Sequence, residues 1–462
     1  MTSSPSKNHS VLLVLGPSHL NHEAIFSAFQ ELEHKLGSQQ HLDVLTFNLD
    51  PDGETIAGIR AVWPGKLVIL DGAQYIAKIE NQVRESITLF ISNLRNKLGT
   101  IAIESGGQKW ASKFAGLWWM TSISEKNSPA DDMWWQFFRL AAIQTRIDEK
   151  TYAKFAVVGD EQLIYLTRQI LPDNGTKHFE RVIRKEKFNW NRVLAIRAIG
   201  LFFYLVAILI AKWHMRDQHV IGNKSKERPT VAYSWYPRVW TNRFDQWKDM
   251  YYGNSLSNLS KKIGEPPVQA LRVYDRTKFV NPVVYWTRIR MLMRPESRPD
   301  SYTIVESFGS IWSTIGAYLN IKDVFQYYKM TQHKAFNEAF TWRGLNVAPL
   351  FKDRIWRSVL ISWPHLAVLA SSSNNLARTL KPDLVILYCF EFIYGRAIIT
   401  GSRQGNPETS IIGVQHGPIS PMKLLYSGTP DDRQIETQVS KPLPEPDIYV
   451  VDGKLASRIL QK

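Results

Sequence analysis

One cysteine, Cys389, occurs in 462 residues. That excludes an intramolecular disulfide framework and a cysteine-rich zinc site. Cys389 lies in the apolar run Leu384 to Phe390, where a buried, inert thiol is expected rather than a nucleophile. The uncharged apolar run Ala198 to Ala211 has 14 residues. It falls short of the roughly 20 that cross a bilayer as a helix. Residues 1–10 are polar and a strand pattern follows directly, so no secretory leader is expected. A Ser-His-Asp order, an HExxH helix, a Walker loop, an EF-hand loop, zinc-finger spacing and an RNA-recognition signature are also missing. His214 and His219 stand at i, i+5, which is poor helical geometry for a metal. No metal is expected.

What is present is positive charge and aromatic surface. Lys and Arg number 57 against 42 Asp and Glu, a net charge of +15. That favours anionic partners such as a lipid surface, a phosphate-bearing substrate or a polyanion. Sixteen Trp and 18 Tyr suit a membrane interface or a carbohydrate site, and without a recognition motif nucleic acid is not expected as a partner. A single core rarely grows beyond about 250–300 residues, so two domains are the default.

Along the chain, Val11 to Gly16, Leu42 to Phe47, Lys66 to Leu70, Thr100 to Glu104 and Phe155 to Val158 read as strands. Helical spacing over His22 to Leu36 and 75–97 alternates with them. Such alternation implies a parallel sheet with helical crossovers. The turn after Gly16 lacks G-x-G-x-x-G, so no dinucleotide fingerprint is read there. After a polar stretch at 223–229, Thr230 to Ser234 opens a new region, and 304–380 is mostly helical. Pro382 to Phe390, Ser410 to Val414 and Asp447 to Gly453 are further strands. The expected division is 1–222, a Rossmann-like domain; 223–380, a linking and largely helical region; and 381–462, a carboxyl-terminal domain only partly present. From about 381 only three strands are legible, fewer than a doubly wound domain uses.

Residues 177–197 carry seven Lys or Arg against two Glu, and the apolar run follows. Extending it to 193–213 reaches spanning length only by including Arg197. Basic flanks with Trp190 and Trp213 suit a helix lying on an anionic leaflet. A buried helix of the fold is the second reading and a true span the third. The expected localisation is cytoplasmic, at the inner face of the membrane.

Gln415-His416-Gly417 ends the strand Ser410 to Val414, at the sheet edge where open α/β folds bind ligands. His416 holds or releases a proton near neutral pH, and Gln415 fixes a hydroxyl or base edge. A histidine satisfying loop carbonyls competes evenly with that role. Glu391 and Arg396 follow the strand before it, so carboxylate, guanidinium and imidazole converge on one edge. The alternative is that Glu391 and Arg396 form an ordinary helix-start acid and a solvated pair. Glu125, Lys126 and Asn127 lie among tryptophans at 110–135, where ring faces and charged groups suit sugars. Core packing is the commoner fate of such rings. Asp160 follows a strand as a base or a helix cap, and Ser234 begins a candidate phosphate contact.

In order, Trp118-Trp119, Ser124-Glu125-Lys126-Asn127, Val157-Val158-Gly159-Asp160, an apolar helix, Val231-Ala232-Tyr233-Ser234 and Gln415-His416-Gly417 resemble a family of bacterial surface-carbohydrate biosynthesis proteins. The resemblance covers roughly residues 100–455. These proteins are similar to GT-B glycosyltransferases that move acidic sugars, Kdo or sialic acid, from CMP donors. It implies two Rossmann-like parallel-sheet domains, an acceptor side at the amino terminus and a nucleotide-sugar side at the carboxyl terminus. The implied partners are a nucleotide sugar and a glycan or lipid-linked glycan acceptor, with no resident cofactor. It assigns His416, Gln415 and Gly417 to the donor, Glu125 and Asp160 to the acceptor side, and Glu391 or Asp160 to the base or nucleophile. The family's aromatic-Glu-Arg cluster is here Tyr394-Gly395-Arg396, in which Glu391 stands in for the missing acid. The rival expectation is a non-catalytic carbohydrate-binding or assembly protein.

Overall fold

The computed structural model describes residues 10–16, 41–47, 57–58, 60–61, 63, 65–127, 132–152, 154–158, 161–171, 190–216, 228–243, 246–274, 280–415, 417, 423–426, 428–433 and 441–460. The chain forms two units. The first comprises Met1–Phe90, Asn127–Lys187 and Asn337–Lys352, and the second Ile91–Lys126, Phe188–Phe336 and Asp353–Lys462.

The first unit is built on four parallel strands: β1 (Ser10–Leu15), β2 (His41–Thr46), β3 (Leu67–Asp71) and β4 (Lys154–Val158). Their order is β3-β2-β1-β4. β1 reads as an unbroken apolar run because every residue in it is buried, as in a parallel strand covered on both faces. Leu12, Val14, Leu45, Phe155 and Val157 form one core with Ala142 and Ile143 of the helix Met133–Glu149. Asp43 of β2 is buried, and its Oδ2 accepts from Arg146 (2.6 Å), Lys150 (2.9 Å) and the Tyr152 hydroxyl (2.6 Å). Burial opposes its ionisation, but these three donors outweigh it and hold the carboxyl below its ordinary range.

Helix α1 (Gly72–Trp118) begins in the first unit and continues into the second. It is interrupted at Gly107, whose φ of +77° is ready only for glycine. The strand expected at Thr100 to Glu104 is part of this helix. Its β-branched residues imitate a strand, but Leu94, Leu98, Ile101 and Ala102 are buried at helical spacing.

The second unit holds six parallel strands: β5 (Thr230–Trp235), β6 (Val268–Arg272), β7 (Tyr302–Ile304), β8 (Leu384–Tyr388), β9 (Ser410–Val414) and β10 (Ile448–Val450). In space they run β10-β9-β8-β5-β6-β7. This is the 3-2-1-4-5-6 order of a Rossmann sheet, and the first unit repeats its first four places. Two Rossmann-like parallel sheets in one chain are the composition of a GT-B-like fold.

The expectation of a three-strand carboxyl-terminal part is therefore corrected. β5, β6 and β7, from within 223–380, belong to the same sheet as β8 to β10. Helix α2 (Trp190–Arg216), which contains 193–213, also belongs to this unit rather than to the amino-terminal domain. Its buried stripe, Val193, Arg197, Tyr204, Ala207, Ala211 and His214, packs on α3 (Pro282–Leu292) and α4 (Ile311–Leu319), which α5 (Ile321–Gln332) follows. Helices α6 (Trp363–Leu380) and α7 (Ile393–Gly405) bracket β8 in sequence and pack closely on each other. Gly401 and Gly405 make this possible, since a Cβ at either would run into the carbonyl oxygen of Ala370 or Asn374. The helix expected over His22 to Leu36 lies outside the described residues.

Candidate functional site

In the second sheet the order reverses between β5 and β8, and ligands of such sheets bind outside the carboxyl ends at that reversal. β8 leaves the sheet through Cys389, buried and at φ +60°, a left-handed conformation costly for a residue with a side chain. Gly395 then brings the first turn of α7 against the Cys389 carbonyl and the Phe390 Cα, closer than any Cβ allows. Trp235 at the end of β5 packs on Tyr388 (5.2 Å between centroids) and edge-on against Tyr394 (4.8 Å).

Around this turn the fold gathers charge. The Arg396 guanidinium donates to Ser124 Oγ (2.9 Å) and the Trp119 carbonyl (3.3 Å), and lies over the Trp119 ring at 5.6 Å. Arg95, on α1, lies 5.2 Å from the same ring and is paired with Asp432 at 3.0 Å. Glu125 Oε2 accepts the Ile393 N–H (3.2 Å), setting a carboxylate on the positive end of the α7 dipole. Tyr426 donates its hydroxyl to Glu391 Oε1 at 3.1 Å. Burial pushes the Tyr426 phenol up, and Glu391 adds to the shift. The Arg396 guanidinium is pulled below its ordinary value by burial, against Glu125, Asp432, Glu445 and Glu391. Thr121 caps the turn Ser122–Glu125, with its Oγ1 accepting from the Ser124 N–H (3.2 Å), and Lys126 closes that turn at φ 52°.

Lys126 is almost fully enclosed. Burial pushes its ammonium down to about 8, Asp432 opposes the shift, and Arg396 and Arg95 reinforce it. The unfolded chain, with an ordinary value of 10.5, therefore binds more protons than the fold between pH 8 and 10.5. Lys126 thus makes stability rise with pH across that window and costs stability below it. Lys126→Met is expected to be the more stable protein near neutral pH, its lead shrinking as pH climbs from 8 toward 10.5. Urea midpoints of both proteins along that range test this; a constant difference defeats it.

The structure thus joins Glu391, Arg396, Glu125 and Lys126. Glu125, expected on an acceptor side, falls in the second unit, because residues 91–126 belong to that unit. Asn127 is half-buried and falls in the first unit. Gln415 takes a structural part: Nε2 donates to the Gly417 carbonyl (2.7 Å) and Oε1 accepts the Asp452 N–H (2.9 Å). His416 and Asp160 lie outside the described residues. Arg95, Tyr426 and Asp432 were not legible as site residues, being lone polar positions in a helix and loops. For Glu445 the one signal was the proline-punctuated run Pro442-Leu443-Pro444-Glu445-Pro446.

Trp119, Lys126, Glu391, Arg396, Tyr426 and Glu445 line a cavity of ≈ 40 Å³. A water molecule's share of liquid volume is about 30 Å³, so this space holds water and not a sugar nucleotide. A larger cavity, ≈ 460 Å³, is lined by Trp240, Trp247, Lys248, Asp249, Glu296 and Arg298, among others. That is a small-ligand volume. Ser234 lies beneath it, fully buried, donating to Asp249 and accepting from Trp240 Nε1 at 2.8 Å. Asp249 also takes the Tyr388 hydroxyl (2.8 Å) and the Tyr251 N–H (2.8 Å), yet burial still pushes its carboxyl up. Ser234 serves that network, not an open phosphate site.

No family model matches the chain, and no curated protein matches it. Among solved structures it is similar to a glycosyl transferase family 9 protein from Veillonella parvula, at 9% identity over 98% of this chain and 90% of the other. The TM-score of that match is 0.19, too low to carry an argument about this chain.

Proposed function

We propose that the chain is a glycosyltransferase whose second unit takes a nucleotide sugar. The observation that carries this reading is the Rossmann strand order with Glu391, Arg396, Glu125 and Lys126 gathered at the carboxyl end of β8, beside the reversal. A guanidinium and an ammonium there offset the charge of a diphosphate or phosphate leaving group, and Glu391 is the carboxylate placed to accept a proton from an acceptor hydroxyl. His416, two residues after β9 in sequence, is assigned to the leaving group. The resemblance to surface-carbohydrate biosynthesis proteins supports an envelope polysaccharide as the product and an acidic sugar from a CMP donor.

The non-catalytic reading has one observation in its favour. Glu391, Arg396 and Glu125 already have partners within the fold, in the Tyr426 hydroxyl, Ser124 Oγ and the Ile393 N–H, and the cavity that Glu391 and Arg396 line admits water. For a nucleotide to enter, 424–426 and 441–446 must move away from α7.

Titrating CMP, UDP and GDP while following the melting temperature tests the donor site. A nucleotide at 100 times its Kd stabilises by about 2.7 kcal/mol, and one of the three is expected to do so. No shift with any of them removes the donor site. A shift without sugar release from the matching nucleotide sugar, across glycan acceptors, leaves the binding protein as the reading.

A further inference from the structure

We infer that α2 and the helices packed against it form a docking face for an anionic membrane, with α2 lying in the plane of the leaflet and not across it. The inference does not depend on the transferase reading. Two facts about α2 set the problem. It is long and apolar enough to cross a bilayer, with a mean hydropathy of 2.6 over its most apolar window. Yet one of its stripes is buried in the protein from Val193 to His214, nearly its whole length. A helix held along its length by neighbouring protein has only its other side left for lipid. Arg197 belongs to the buried stripe. It donates to the carbonyls of Tyr318 (3.1 Å), Asn320 (3.2 Å) and Val359 (2.7 Å). The charge that makes 193–213 a poor span is thus satisfied inside the fold and does not meet lipid.

The opposite side of α2 is apolar and open: Leu194, Ile199, Phe202, Leu209 and Trp213, with Phe202 59% exposed. The neighbours continue it. Val283 on α3 is 70% exposed and Trp312 on α4 is 81% exposed. Trp213 of α2 packs on Trp286 of α3 at 5.5 Å. Soluble monomers seldom leave so many large apolar side chains open on adjoining helices, and such surfaces mark interaction sites.

Charge selects the occupant. In α2 to α5 the one acid is Asp323, and it is paired with Lys113 at 2.6 Å. Arg192, Lys212, Arg216, Arg290, Lys322 and Lys329 are exposed on the same helices. An apolar face with basic residues and tryptophan beside it fits a leaflet of anionic lipid, to which each Lys or Arg near the surface adds attraction. A second copy of the chain would bring the same positive charge to the contact.

Cosedimentation of the full chain with vesicles tests the face. Binding is expected to phosphatidylcholine vesicles containing phosphatidylglycerol, and to be roughly tenfold weaker or more without the anionic lipid. Phe202→Glu with Trp312→Glu is expected to lose binding roughly tenfold or more, with an unchanged melting temperature because both positions are exposed. Lys212→Glu with Arg216→Glu is expected to lose the preference for phosphatidylglycerol. Trp312→Ala, a milder change, keeps the test open if the double variant does not fold. Alkaline carbonate is expected to strip the protein from vesicles. Four results overturn the inference: no partitioning of the unaltered protein, equal binding by the variants, retention after carbonate, or a dimer in solution that Phe202→Glu splits.

Discussion

Arg396→Met destabilises the second unit by about 3–5 kcal/mol, the usual cost of removing one partner from a buried charged group. The side chain fits the space, so the effect is electrostatic rather than steric. Arg396 is 3% exposed and offsets Glu125, Glu391 and Glu445. Without it these carboxylates share an enclosure whose remaining cations are Lys126, itself inclined to lose its proton, and Arg95, already paired with Asp432. Arg396→Lys is expected to recover part of the charge term only. An ammonium cannot reach Ser124 Oγ and the Trp119 carbonyl while keeping a planar group over the indole. Both variants are expected to lose the nucleotide-induced rise in melting temperature. The measurement is urea unfolding followed by tryptophan fluorescence, with Glu391→Gln as companion. If Arg396→Met unfolds at the same urea concentration as the unaltered protein, the cluster is a set of solvated charges and the site argument fails with it.

Gly401→Val is expected to be the other severe change. On propensity alone, valine should stabilise the interior of α7 by a few tenths of a kcal/mol over glycine. Packing overrides that. A Cβ at 401 collides with the Ala370 carbonyl and lies 3.0 Å from the Ser373 Cβ, so α6 and α7 have to separate. Overpacking of this kind costs about 1–3 kcal/mol, and more where the obstacle is backbone. Because α7 starts at the charged turn, its displacement also moves Arg396 and the Ile393 N–H that Glu125 holds. The loss of stability and of nucleotide response should therefore appear together. Gly316→Val is the control: it is a helical glycine of the same unit with nothing within 4 Å of its Cβ, and little change is expected. Equal stability of the two variants refutes the close-packing account.

Much of the sheet was legible because parallel strands buried on both faces read as apolar runs, as Val11 to Leu15 of β1 and all of β8 do. β6 and β7 were not. Val268–Arg272 carries a glutamine and ends in an arginine whose partner is His365, and Tyr302–Ile304 is three residues long. Missing those two strands, and assigning β5 to a separate linking region, made the second sheet look half its width. Glu391 and Arg396 were placed on one edge because five residues separate them. Their meeting with Glu125 was not legible, because Glu125 and Ile393 are 268 positions apart in sequence, and no local pattern reports which helix carries a segment into which unit. The aromatic stretch 110–119 suggested sugar stacking. In the fold Trp118 is wholly buried, and Trp119 is a platform for two guanidinium groups whose indole N–H donates to the Lys441 carbonyl at 2.7 Å.

The chain passes between its two units several times. Residues 91–126 leave the first unit before it is finished, and 337–352 come back to it. The segment that returns is anchored there by Trp342, which donates to Ser86 Oγ (3.2 Å), and by Phe351 packed on Phe90 and Trp134. During synthesis the first unit is therefore complete only once 337–352 has been made. Residues 188–336 come in between, roughly seven to thirty seconds at common elongation rates. For that interval Phe90 and Trp134 lack the Phe351 ring and keep Phe137. Neither unit corresponds to a contiguous stretch of the gene, so dissection by truncation yields two unfinished halves, whereas a circularly rearranged chain keeps both.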